Sequence, residues 1–290
     1  MTTPSNPPPS PRSRPAPRPF EDQVAEADAV SVDGWDFSWL DGRATEQRPS
    51  WGYQRLIAER LATAQAALDL ETGGGEVLAG AQELARSLPP VMAATESWPP
   101  NLAKATMLLR PRGTVVVAAA DESPLPFADA AFDLVTSRHP VRTYWGEIAR
   151  VLEPGGTYLS QQVGPRSVFE LVEFFLGPQP EAALNARHPD HARRAAAEAG
   201  LDVVDLRHEE LRTEFRDIGA VVYFLRKVIW MVPGFTDADH RDRLRDLHEK
   251  IEAEGPFVAT TTRYLIEARK PARATPSAAS TAGGMADSAP

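Results

Sequence analysis

Residues able to do chemistry gather first in one stretch, Ala67-Leu68-Asp69-Leu70-Glu71-Thr72-Gly73-Gly74-Gly75-Glu76. An apolar run carrying Asp69 ends in a second acid, Glu71, then three glycines, then helix-forming residues. Glycine takes backbone angles that a β-carbon forbids, and it lets a ligand lie against the main chain where a helix begins. Glu96 stands 21 residues past Gly75, where a carboxylate can accept hydrogen bonds from two ribose hydroxyls. Together they describe a nucleoside-binding turn without saying which nucleoside. Three adjacent glycines also make an ordinary flexible turn, so the neighbouring motifs must decide.

A second set of residues could handle a substrate. His139, in Ser137-Arg138-His139-Pro140, titrates near neutrality and follows an expected strand. It reads as a base or as a cap on the turn before Pro140. Arg138 reads as a partner for an acidic substrate or for a surface carboxylate. Tyr144 and Trp145 either wall a substrate pocket or pack beside it. Trp35, Phe37 and Trp39, interleaved with Asp33, Asp36 and Asp41, make a lid or a plug on the sheet edge. The Ile218–Ile229 stripe with Trp230, Met231 and Phe235 reads equally as a roof or as core. His188-Pro189-Asp190-His191 is an incomplete ligand set, and no metal is expected.

Periodicity supplies the elements that must hold these residues. Helical spacing runs over Tyr53–Ala67, and a strand leads into the glycines. Helices follow at Glu76–Arg86, Pro99–Arg110 and Thr143–Leu152. Strands are expected at Val91–Thr95, Thr114–Ala118, Ala131–Ser137 and Thr157–Val163. Strands alternating with helices at this spacing indicate a parallel, doubly wound α/β sheet, with ligands at the carboxyl ends of its strands. Further on, helices are expected at Ser167–Leu176, Ala192–Gly200, Ile218–Ile229 and Asp237–Glu254, and strands at Leu201–Leu206 and Thr261–Ala268. The expected fold is Rossmann-like and mostly parallel, with seven strands and an antiparallel last one. An N-terminal helix and a C-terminal helical insertion complete it.

The chain has 290 residues, 42% of them hydrophobic, enough for a sizeable core. Its formal net charge of -9 argues against long-range attraction to nucleic acid. It has no cysteine, which excludes disulfides, thiolate metal sites and a cysteine nucleophile. No apolar run reaches the length of a membrane span, and no apolar segment follows the early arginines as in a secretory signal. A cytoplasmic location is the expectation. Residues 1–30 are assigned to a disordered Pro/Arg-rich arm, on the strength of Met1–Pro19, and 272–290 to a similar tail. The domain between spans 31–271, with a binding core at 67–163 and substrate-side elements at 31–66 and 164–260.

Three further motifs follow the glycine turn in order. Asp121-Glu122-Ser123-Pro124-Leu125-Pro126-Phe127 comes after the third strand, then Phe132-Asp133-Leu134-Val135, then Arg150-Val151-Leu152-Glu153-Pro154-Gly155-Gly156. In this order the four motifs resemble the class I S-adenosylmethionine-dependent methyltransferases, and most closely their ubiquinone/menaquinone-type group. The likeness covers about Ala67–Val163. It implies S-adenosyl-L-methionine as cofactor, with Asp69 and the Gly73 and Gly75 backbone at its methionine end. It further implies Glu96 on the ribose, Asp121 with Glu122 on the adenine, and Ser137 beside the methyl group. Glu71 replaces the family's usual first glycine, where a carboxylate could clash with the cofactor or pair with its ammonium group.

The function this implies is in-line methyl transfer to an oxygen or nitrogen, less readily a carbon, of a small-molecule acceptor. The protein would be a monomer or homodimer with no membrane or nucleic-acid partner. Three other readings stay open. One is a silent cofactor-binding or interaction protein, motivated by Glu71. Another is a ribosomal RNA methyltransferase, which would want a basic face. The last is an NAD-dependent oxidoreductase, which would want glycine at Leu78 and leaves Leu125-Pro126-Phe127 unexplained.

Overall fold

A computed structural model describes residues 18–119 and 124–272. The chain begins with α1 (Phe20–Asp28), β1 (Ala44–Glu46), α2 (Tyr53–Leu61), β2 (Ala66–Leu70) and α3 (Glu76–Leu84). It continues with β3 (Val91–Glu96), α4 (Pro99–Leu109), β4 (Val115–Ala118), β5 (Phe132–Arg138), α5 (Trp145–Val151) and β6 (Leu152–Val163). Next come α6 (Phe169–Leu176), α7 (Glu181–Asn185), α8 (Pro189–Glu198), β7 (Asp202–Phe215), α9 (Ile218–Lys227), α10 (Arg241–Glu254) and β8 (Phe257–Arg269). The strands hydrogen-bond in the order β1-β7-β8-β6-β5-β2-β3-β4. Eight strands thus replace the seven expected. The additional one, β1, has no apolar alternation and exists because β7 runs on to Phe215, where Ala44, Thr45 and Glu46 pair with Phe215, Glu214 and Thr213.

The described residues fall into two compact units. The first comprises residues up to Ser50, Val163–Arg187 and Glu209–Arg263. Its core gathers Phe20 and Val24 of α1, Leu171 and Phe175 of α6, and Leu244 and Leu247 of α10 around Ile218, Val221, Val222 and Leu225. Ile218, Val221, Val222 and Leu225 are fully buried and Val228 is buried just past the helix end, so this part of the expected stripe is core, whereas Ile229 and Trp230 beyond it are exposed. Asp217 caps the helix by accepting the Ala220 N–H at 2.8 Å, and Arg226 and Lys227 close it with positive charge. The expected arm over 1–30 is corrected at its end. Phe20–Asp28 is helical because Phe20, Val24 and Ala27 share one buried face, while 1–17 and the tail from 273 lie outside the described residues. The backbone after β6 pairs with β8 in antiparallel sense, Gly164 with Thr262 and Val168 with Thr260.

The second unit, Trp51–Gln162, His188–His208 and the described chain from Tyr264, carries the doubly wound sheet. β2 lies parallel to β3 on one side and to β5 on the other, β3 parallel to β4, and β5 parallel to β6. Chain order moves outward from β2 to β4, then returns to β5 on β2's other flank. The reversal leaves a crevice beyond the carboxyl ends of β2 and β5, where ligands bind in such sheets. Two buried clusters sandwich these strands, one around Ile57, Leu61, Leu78 and Leu109, the other around Val135, Ile148, Val151 and Tyr158.

Two of the sequence motifs prove to be fasteners. The Asp133 carboxylate accepts the N–H groups of Gln65 at 2.8 Å and Ala66 at 2.9 Å, pinning the start of β2 beside β5. Arg150 donates to the carbonyls of Leu125 and Phe127 and to Asp129 and Glu147, which ties the segment after β4 to α5. The Pro154-Gly155-Gly156 turn is an irregularity within β6, where the β5 register shifts between Phe132 and Leu134. Gly156 must be glycine there because a β-carbon would meet the Glu153 carbonyl at 2.9 Å. Among the described residues no helix is long and apolar enough to cross a membrane.

Candidate functional site

At the tip of β2 the chain turns through Glu71, Gly73 and Gly75, all in the left-handed region (φ 51°, 64° and 87°). Two of these glycines do different work. A β-carbon on Gly75 would meet Leu109 at 2.9 Å, so its absence lets α3 pack on α4. A β-carbon on Gly73 would meet nothing within 4 Å; its bare backbone faces open space. Glu76 opens α3 with an acid in the first turn, the favoured sign at a helix N-terminus.

Glu96 ends β3 and is buried, with each carboxylate oxygen held by main chain. One oxygen accepts the Gly73 N–H at 2.8 Å, and the other accepts those of Ser97 and Trp98, both at 3.0 Å. The carboxylate is thus fixed beside Gly73; the oxygen that takes Ser97 and Trp98 has both lone pairs engaged, and the oxygen that takes Gly73 keeps one for a hydroxyl donor. This fits a ribose hydroxyl. Asp69 lies inside β2, buried, and accepts the Thr136 hydroxyl at 2.6 Å. Burial pushes its carboxyl up to about 6, partly offset by the Thr136 hydrogen bond.

Glu71 reaches the other side of the crevice, where its carboxylate accepts the Val141 N–H at 2.9 Å. A cavity of about 50 Å³ lies there, bounded by Glu71, Thr95, Ser137, Tyr144, Glu147 and Tyr158 among others. Ser137 sits in a buried hydroxyl cluster, 2.7 Å from the Tyr158 hydroxyl and 2.9 Å from Ser160 Oγ. Burial pushes the Tyr158 phenol up, so it stays a neutral hydroxyl. Tyr53 of α2 supports this floor by donating to the Ser137 carbonyl at 2.5 Å. Trp145 packs edge-on against Tyr158, at 5.4 Å between centroids.

His139 follows β5 with φ 54°; its N–H donates to the Gln161 carbonyl at 2.7 Å, and its Nε2 lies 3.0 Å from Gln161 Nε2. Arg138 is exposed at the strand end, and Arg142 stacks over the Tyr144 ring. Of the residues expected to form the site, Asp69, Glu71, Gly73, Gly75, Glu96, Ser137, His139, Arg138, Tyr144 and Trp145 all belong to the second unit. Trp35, Trp39 and Trp230 belong to the first. There Trp35 lies 5.7 Å from Trp230, both about half exposed, while Trp39 packs on Tyr223 under the Arg43 guanidinium. Asp121 and Glu122 lie outside the described residues. His188 is occupied as the cap of α8, accepting the Asp190 N–H on Nδ1 at 3.2 Å. Sequence reasoning missed Tyr158, Tyr53, Trp51 and Gln161, whose partners are remote in sequence.

Residues 68–160 match the family model described as a methyltransferase domain. Among solved structures, a candidate methyltransferase from Bacillus halodurans C-125 aligns at TM-score 0.52 and 19% identity, over 75% of this chain and 98% of its own. The YcgJ protein of Bacillus subtilis aligns at TM-score 0.49 and 16% identity, over 76% and 98%. No curated protein matches the sequence. At 19% identity the first likeness is one of fold, and it agrees with the Rossmann-like arrangement of β2 to β6.

Proposed function

We propose that the chain is an S-adenosyl-L-methionine-dependent methyltransferase acting on an oxygen or nitrogen of a small molecule, as a monomer or homodimer in the cytoplasm. The observation that carries this reading is the Glu96 carboxylate, clamped by three main-chain N–H groups next to the open backbone of Gly73. The methyltransferase-domain match over 68–160 favours this cofactor over a nicotinamide. The cofactor supplies an electrophilic methyl group, so the protein's task is alignment more than bond activation. Glu96 would hold the ribose, Gly73 the methionine end, and Ser137 with Tyr158 would floor the crevice near the methyl group. Asp121 and Glu122 are assigned to the adenine. Tyr144 and Trp145, in the same unit, would flank the acceptor.

A second reading, cofactor binding without transfer, draws on Glu71. Its left-handed backbone and its bond to Val141 N draw the glycine turn and the β5–α5 loop together. Melting temperatures with and without S-adenosylhomocysteine test both. Ligand at about 100 times its Kd should add about 2.7 kcal/mol of stability. The shift should vanish in Glu96→Ala and be absent with NAD. A shift without product from any acceptor would favour the second reading. No shift in wild type but a shift in Glu71→Gly would mean that Glu71 closes the site.

A further inference from the structure

Trp51, Gln161 and His139 form a directed chain of polar groups in the second unit. Trp51 Nε1 lies 2.8 Å from Gln161 Oε1, and Gln161 Nε2 lies 3.0 Å from His139 Nε2. An indole nitrogen only donates, so it must face the amide oxygen. The Gln161 NH2 group is thereby turned toward the imidazole, and the ring nitrogen facing it must accept. Turning the amide over would set two donors against each other at Trp51, which is 6% exposed, and strand its N–H. Gln161 is 4% exposed, and its carbonyl also takes the His139 N–H at 2.7 Å. Side chain and backbone are therefore clamped to the same residue.

We propose that Trp51 and Gln161 lock His139 as the neutral imidazole carrying its proton on Nδ1, so that it serves as a hydrogen-bond donor and not as a proton acceptor. The Nε2 lone pair, which a base would need, is already committed to Gln161. Free histidine favours the opposite tautomer, so the lock has a signature. The consequence for the acceptor rests on the methyl-transfer reading; the lock does not. With no base at this position, the acceptors that fit are those already nucleophilic near neutral pH, such as a free amine or an ionised phenol. An alkyl hydroxyl, whose proton must be removed, does not fit.

Long-range proton–nitrogen spectra of the histidine rings in the 15N-labelled full chain test this, with His139→Asn identifying the signals. Wild type should show the Nδ1–H pattern for His139 at about pH 7.5, where a free imidazole is largely neutral. Gln161→Glu presents only acceptors and should switch the ring to an Nε2–H form. Trp51→Phe, which frees the amide to rotate, should yield a mixture of tautomers. If Trp51→Phe does not fold, wild type and Gln161→Glu still carry the test. An Nε2–H pattern in wild type, or a tautomer unchanged in Gln161→Glu, would overturn the proposal. Failure of every acceptor to be methylated would remove the proposed function and leave the spectra as they are.

Discussion

Asp69 shows how a residue can be legible as a motif and opaque as a physical object. Its place before the glycines is plain in the sequence, yet its burial beside Thr136 comes only from the pairing of β2 with β5. With its carboxyl raised to about 6 from an ordinary 3.8, the folded protein holds that proton more tightly than the unfolded chain. The contribution is fully present below about pH 4 and lost as pH rises through about 6, amounting to about 3 kcal/mol. Asp69→Asn removes the titration. Its melting temperature relative to wild type should therefore improve steadily between about pH 4 and 7. A difference that stays constant across that range would show that Asp69 is not desolvated. Glu71 is the complementary case: the departure from glycine was visible, but its reach to Val141 was not.

At the scale of elements, β2, the glycine turn and α3 were readable because every signal there is local. An apolar run, residues permitting positive φ and an acid in the first helical turn lie within a dozen positions. The three glycines nevertheless look alike in sequence. Their neighbours separate them. Gly73→Ala meets open space and should cost about 1 kcal/mol for its left-handed backbone. Gly75→Ala carries the same penalty and also strikes Leu109 between α3 and α4, for a total of about 2–4 kcal/mol. Urea unfolding should give the larger loss for Gly75→Ala with an unchanged m-value. Equal losses would mean that α4 gives way without cost. The same contrast explains β1, which no propensity signals and which only the extended β7 calls into being.

For the molecule as a whole, charge makes the most direct statement. A formal net charge of -9 gives no electrostatic footprint for a polyanion, so transfer RNA or duplex DNA should show no salt-dependent binding. A Kd tighter than about 100 μM at physiological salt would count against this. Composition, the order of four motifs and the alternation of strands with helices determined the α/β class and the expected cofactor crevice, because those properties depend on neighbours in sequence. Tertiary structure decided which groups meet there. Trp51 and Gln161, 110 positions apart, come together by packing of the turn before α2 on the sheet, as do Tyr53 of α2 and Ser137, while Asp133 meets the start of β2 through strand register. Propensity acts over a few residues, whereas the partner of a buried donor is fixed by register and packing, and that is why the Gln161 amide beside His139 could not be read from the sequence, where His139 stood as a base or a turn cap.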